Sequence, residues 1–298
     1  MTSLKNYAME IIASICLVFV ACNKPNEVEV LVPVTVHVDD FSISQDDFPD
    51  AKHAPTRAQA VGSYNDVNAI TLAFYKADGT ELYKHEQLKS DNTTYTTFGE
   101  FECSLPMGSH TMVVLAYYTN ENSVLTLTSP TEASYNVRAR ETFVATQSVT
   151  ISNTDAVDIS ATLDRIVSML TVKSTDGKMA DVTNVRMTFS AGGKDFNPTT
   201  GLAITTTGLT NTVGNSAAVG ATSTSSTMFF LNTDEQDIDV TIETLDADGN
   251  TLFSKTVSNV PFKRNRKTIL TGAMYTNTGI AGSFLVDTDW LTEEDVAF

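Results

Sequence analysis

Residues 28–38 read Val-Glu-Val-Leu-Val-Pro-Val-Thr-Val-His-Val, and no other stretch restricts the fold so sharply. Valine stands at Val28, Val30, Val32, Val34, Val36 and Val38. A chain extended at period two therefore presents one unbroken β-branched face, with Glu29, Pro33, Thr35 and His37 among the residues opposite. The pattern predicts a strand. Pro33 has no N–H to give to a ladder, which predicts a sheet edge or a strand paired on one side only. Thr, Ser, Asn, Val and Gly dominate the middle of the chain, and long runs of Leu, Ala, Glu and Lys at helical spacing are missing. The class expected is all-β.

Upstream of this strand, residues 1–21 predict a signal peptide. Lys5 is a thin positive start, residues 11–20 are apolar but too short to span a bilayer, and Phe19-Val20-Ala21-Cys22 follows. Small Ala21 before a cysteine predicts a lipoprotein signal, with lipidation at Cys22 and a tether over residues 22–27. Ordinary secretion with Cys22 incidental is the alternative. A lipidated Cys22 would hold the chain to the outer membrane without a transmembrane helix. Of the three cysteines, Cys16 would leave with the signal and Cys22 would carry lipid, so Cys103 has no partner and no disulfide framework is expected.

The 298 residues suffice for two domains with a core in each, and 36 acidic against 19 basic residues give a formal net charge of −17. That balance argues against a nucleic-acid partner. Residues 28–157 read as an N-terminal β domain and residues 158–298 as a C-terminal one. Within the first, residues 39–65 predict a long loop; loops beyond about 12–15 residues are usually functional or disordered. Hairpin signals stand at Lys76-Ala77-Asp78-Gly79 and at Asp246-Ala247-Asp248-Gly249-Asn250, the latter read as a type I′ turn. Residues 121–140 are polar and predict a surface excursion. Residues 161–172 predict one buried strand, residues 201–226 a long loop or weak edge strands, and residues 284–286 a last short strand. A weak repeat lays residues 66–74 on residues 181–189, an offset of 181 − 66 = 115 with three of nine positions identical. Before the second copy the gap from the preceding strand is eight residues (173 to 180); before the first it is 27 (39 to 65) and holds Arg57.

No catalytic set assembles, so no enzyme and no cofactor are predicted. His37, His53, His85 and His110 lack ligand spacing, and no Gly-x-Ser-x-Gly elbow occurs. Asp246, Asp248 and Asn250 resemble the start of a calcium loop, but glycine comes too early and no glutamate follows at the twelfth position. Lys263, Arg264, Arg266 and Lys267 form the one basic cluster, read as a solvated turn and strand face. Arg57, followed by Ala58, sits among small residues of the kind proteases enter, between the valine strand and the rest of its domain.

The order of these features resembles the fimbrillin-like lipoproteins of the Bacteroidota type V pili. The features are a lipobox at Cys22, a hydrophobic strand, a linker arginine, two β domains of similar size, Leu163-Asp164-Arg165-Ile166-Val167-Ser168-Met169-Leu170-Thr171-Val172 at the second opening, and Val260-Pro261-Phe262-Lys263-Arg264-Asn265-Arg266-Lys267-Thr268-Ile269-Leu270-Thr271-Gly272 near the end. The resemblance implies two transthyretin-like β-sandwich domains in tandem. It implies export as a lipoprotein and removal of lipid and first strand by an arginine-specific protease, at Arg57 and Ala58 here. A strand of a neighbouring subunit then fills the groove. The partners implied are other fimbrial subunits and, in an adhesin, a host receptor or glycan. The tail after residue 286 departs from a long alternating donor strand, so a minor, tip or anchor subunit is as consistent as a shaft pilin. A surface lipoprotein that binds glycans without polymerising is the rival reading. Trp290, the sole tryptophan, leaves few aromatic platforms for it.

Overall fold

The computed structural model describes residues 29–42, 59–60, 64–276 and 285–287, and every regular element among them is a strand. The first half holds β1 (Leu31–Ser42), β2 (Gln59–Ala60), β3 (Ala69–Lys76), β4 (Glu81–Leu88), β5 (Glu100–Pro106), β6 (Gly108–Tyr117), β7 (Leu125–Ser129), β8 (Glu132–Tyr135), β9 (Thr142–Ile151) and β10 (Val157–Arg165). The second holds β11 (Ser168–Ser174), β12 (Asn184–Phe189), β13 (Asp195–Asn197), β14 (Leu202–Ala203), β15 (Leu209–Gly214), β16 (Thr224–Phe229), β17 (Glu235–Leu245), β18 (Thr251–Lys263), β19 (Lys267–Gly272) and β20 (Leu285–Asp287). Leu31–Phe298 forms one compact unit.

In the first half β1 lies between β5, antiparallel, and β10, parallel, while β4-β3-β6-β9 run side by side. β10 joins the two groups by pairing Asp164 with Val144 and Arg165 with Phe143. The groups face each other across a core in which Val32, Val34, Val36 and Val38 meet Ile70, Leu72, Phe74, Met112 and Val114. The second half repeats the order. β11 lies between antiparallel β16 and parallel β19, opposite β15-β12-β17-β18, around a core that includes Leu170, Val185, Met187, Phe229 and Ile242. The residues laid on each other at the 115-residue offset thus build β3 and β12, the strands that hold equivalent places in the two four-stranded groups.

The structure corrects several expectations. The first strand is no edge, because it is paired along both sides; Pro33 is tolerated there for a reason taken up below. The run 161–172 is two strands, since Ile166 and Val167 leave the first sheet to bury themselves in a third core, with the Ile166 N–H donating to Thr142 O at 3.1 Å. β10, which a boundary after residue 157 assigns to the second domain, pairs with β1 and β9. The loop expected over residues 39–65 is structured at its ends, where β1 runs on to Ser42 and β2 pairs Ala60 with Asp40 and Gln59 with Phe41.

The largest correction concerns residues 121–140. They form the β7–β8 hairpin, and β8 pairs with β13 of the second half in a four-stranded sheet β14-β13-β8-β7. Leu125, Leu127, Ala133 and Tyr135 alternate inward while Thr126 and Glu132 stay exposed. A half-polar composition is what a sheet with one wet face produces. Beneath it Phe230 stacks on Tyr135 and touches Phe196, with ring centroids 6.4 and 4.4 Å apart, so aromatic packing joins the halves.

Both hairpin signals hold, with a different turn. Gly249 and Gly79 each have φ of 85°, and no other residue of either loop has positive φ. A type I′ turn needs two such residues, so these are loops closed by a single left-handed glycine.

The exit of β19 is pinned by Asp176. Its carboxylate accepts the N–H groups of Met274 at 2.8 Å, Tyr275 at 2.9 Å and Thr276 at 2.9 Å, and the Thr276 hydroxyl at 2.9 Å. Burial would raise this carboxyl, but the four donors outweigh burial and hold it below the ordinary range. A depressed folded value means that the stabilisation is present above the unfolded value near about 3.9 and is lost as pH falls through the folded one. Asp176→Asn is expected to lower the urea midpoint at pH 7, with the gap to wild type closing below about pH 4. A gap that stays constant across that range would contradict the clamp.

Candidate functional site

The site is β1 and the groove it fills. A strand alternates the direction of its backbone groups as well as its side chains. The Val38 N–H donates to Gly99 O at 2.8 Å, on the β5 side. Val36, Val34 and Val32 therefore turn their N–H groups to β5 as well, and His37, Thr35 and Pro33 face β10. β10 first pairs at Val157, opposite Val34, so the missing N–H of Pro33 faces a point just before that partner begins. The proline costs no ladder bond, which is why an interior strand accepts it.

Val32, Val34, Val36 and Val38 are at most 5% exposed, whereas Val30 is 47% exposed and precedes the strand. The six-valine face expected from the pattern is thus a four-valine face among the described residues. Val28 lies outside them. Without β1, β5 would lose its long ladder and β10 would keep only its two pairs with β9. Both edges of the resulting gap would carry unpaired backbone groups above an apolar floor, an arrangement that accepts an added strand.

Cys22, Arg57, Ala58, His53 and Trp290 lie outside the described residues. Arg57 and Ala58 immediately precede β2 in the chain. Cys103 sits on β5 opposite Val34, a free half-buried thiol that burial pushes up to about 11. His37 and His85 stand on β1 and β4, and buried His110 places Nε2 2.8 Å from Pro106 O. In the loop once compared with a calcium site, Asp246 instead accepts the N–H groups of Asp248 at 2.9 Å and Asn250 at 2.8 Å. In the basic cluster, Lys263 pairs with Glu235 at 2.5 Å and Arg264 with Asp234 at 2.9 Å.

Sequence reasoning missed a second feature. Arg165 is 4% exposed and donates from Nε to Glu141 at 2.5 Å, from Nη2 to the Tyr64 hydroxyl at 2.5 Å and from Nη1 to Asn265 at 3.3 Å. Its guanidinium lies 5.0 Å from the Phe143 ring centroid. The Asn265 N–H donates to Val167 O at 3.0 Å, and the Ser168 hydroxyl to Lys263 O at 2.7 Å. The two motifs quoted above therefore meet at the junction of the halves and lock it. Burial, then the Glu141 charge, pushes the Tyr64 hydroxyl up, so it stays protonated. The signal was present in the sequence: Ile159, Ala161, Leu163 and Arg165 occupy the inward positions of one alternating strand, and a charge ending an apolar series needs a buried partner.

These strands and cores define a chain of β-sandwich architecture whose opening strand is held on both sides by its own sheet. The chain belongs to DUF6562, a family of unknown function, whose model matches residues 34–297. None of the curated proteins matches it. Among solved structures it is similar to a candidate adhesin from Bacteroides ovatus, with a TM-score of 0.53 and 12% identity over 87% of this chain and 92% of that one. It is similar also to the fimbrial anchor protein Mfa2 from Porphyromonas gingivalis, with a TM-score of 0.52 and 10% identity over 88% of this chain and 98% of that one. At such identities the likeness is one of fold.

Proposed function

We propose that this protein is a structural subunit or adhesin of a bacterial surface fimbrium, acting without catalysis. It is exported as a lipoprotein through Cys22, carried to the outer membrane, and assembled by strand exchange after cleavage between Arg57 and Ala58. In this reading the two halves with the same strand order are tandem transthyretin-like sandwiches, and the partners are other fimbrial subunits. The observation that carries it is β1 itself. The strand fills a full-length groove through side-chain burial and ladder bonds alone, and only residues 43–58 separate its end from β2, Arg57 among them. The similarity in fold to a fimbrial anchor and a candidate adhesin supports the same reading.

N-terminal sequencing of the protein shed from cells with its fimbriae tests the cleavage. A start at Ala58 is expected, with Arg57→Ala chains remaining monomeric and Cys22→Ser chains losing acyl label and membrane fractionation. A lipidated start at Cys22 in all surface material would reject processing and leave an anchored subunit. Unchanged acylation of Cys22→Ser would reject the lipoprotein step.

A further inference from the structure

Beside the junction lies a cleft of about 440 Å³, within the range of about 300–1,000 Å³ usual for small-ligand sites. Arg138 and Arg140, two residues apart between β8 and β9, line it from the first half; Met169 of β11 and Met228 of β16 line it from the second. In a chain with 36 acidic residues, neither guanidinium makes an ion pair or donates a hydrogen bond among the described residues. The Arg140 guanidinium carbon lies over the Tyr118 ring, 5.8 Å from its centroid. Its Nε–H is enclosed and has no acceptor. A cationic donor left without a partner is costly, and an acceptor in the cleft would meet the guanidinium through its Nη groups, which are not enclosed.

We propose that this cleft binds a small carboxylate, a monoanion with an apolar or sugar body, through Arg138 and Arg140. The two arginines contribute two positive charges, and Asp66 on the rim contributes one negative charge. Glu141 also lines the cleft but is neutralised by Arg165 at 2.5 Å. Among the described residues the cleft therefore carries a net charge of +2 − 1 = +1, which suits a carboxylate better than a dianionic phosphate. The planar fork of arginine matches a carboxylate in two parallel bonds. Half-buried Met169 and Met228 offer the body an apolar, adaptable surface. Burial, and then the neighbouring charge of Arg140, lowers Arg138 from its ordinary value, a strain that a bound anion relieves.

The test is ligand-observed saturation-transfer NMR on the chain of residues 23–298, which keeps β1. The observed probes are sodium benzoate and sodium glucuronate and their neutral counterparts benzyl alcohol and glucose; inorganic phosphate, which has no carbon-bound protons, is read by its displacement of the bound carboxylate. Saturable binding of at least one carboxylate is expected, and which of the two it is tells whether the body is apolar or a sugar. Arg140→Gln should weaken that binding about tenfold or more. Asp66→Asn changes an exposed rim residue and leaves the fold intact, so it reads the cleft charge independently; it should tighten binding about two- to threefold. Absence of saturable binding by both carboxylates would overturn the proposal. So would phosphate binding as tight as the carboxylates, or carboxylate binding that neither substitution moves.

Discussion

A chain starting at Ala58 is expected to lose about 6 kcal/mol or more of unfolding free energy relative to one that starts before β1, and a synthetic peptide of residues 31–42 should restore it in trans. The figure follows from four valines buried on β1 at about 1.5 kcal/mol each, before any ladder bond is counted. Single domains are stable by about 5–15 kcal/mol, so the truncated chain stands at the margin of folding. Its second half has a core of its own, from Leu170 to Tyr275, that β1 does not touch. Urea unfolding should therefore split into an early transition for the first half and a later one for the second. The peptide should merge them again, and a Val36→Asp peptide should not, because Val36 is fully buried and a carboxylate there would face the apolar floor. A truncated chain with an unchanged single transition would show that β1 is dispensable to the fold and would remove the physical basis for strand exchange. The rescue should be slow, since the peptide must enter two ladders at once.

How the valine strand reads in sequence shows where pattern is informative. Period-two burial is local physics, and it gave Val32 to Val38, β3, β12 and both hairpins with their order. Partners are not local. Pro33 pointed to an edge because a proline removes a donor, but whether the loss matters depends on where β10 begins, 157 − 33 = 124 residues away in the chain. The β7–β8 hairpin was hidden for the same reason: its buried face is shared with Phe196 and Phe230 of the other half, and the five core residues that residues 121–140 contribute do not announce a core. Cys22, Arg57 and Ala58 were legible as motifs, and they lie outside the described residues. The junction was legible in one respect only, the arginine closing an apolar alternation. Its partners Glu141, Tyr64 and Asn265 come from three other places in the chain.

That arginine carries the second large effect. Arg165→Met is expected to cost about 3–5 kcal/mol, because it leaves Glu141, 5% exposed, as a buried carboxylate facing an apolar side chain. The penalty should not come chiefly from the lost attraction. A buried pair replaced on both sides by apolar groups of similar volume is often neutral, so Arg165→Met combined with Glu141→Leu should recover most of the loss. The double-mutant cycle then gives a coupling of about 2 kcal/mol or more, far above the tenths expected of distant sites. The location of the damage distinguishes a junction lock from a residue of one core. Arg165 reaches Asn265, whose left-handed φ of 58° sets the turn into β19 and whose N–H meets Val167 O at 3.0 Å. Loss of the lock should therefore raise amide exchange on both sides of the junction, at Val167 to Met169 and at Asn265 to Lys267, while the core around Ile242 stays protected. Exchange confined to the β9 and β10 ends would reduce Arg165 to a local ion pair. Exchange across both motifs would establish that these two sequence signatures exist to hold one half of the molecule against the other.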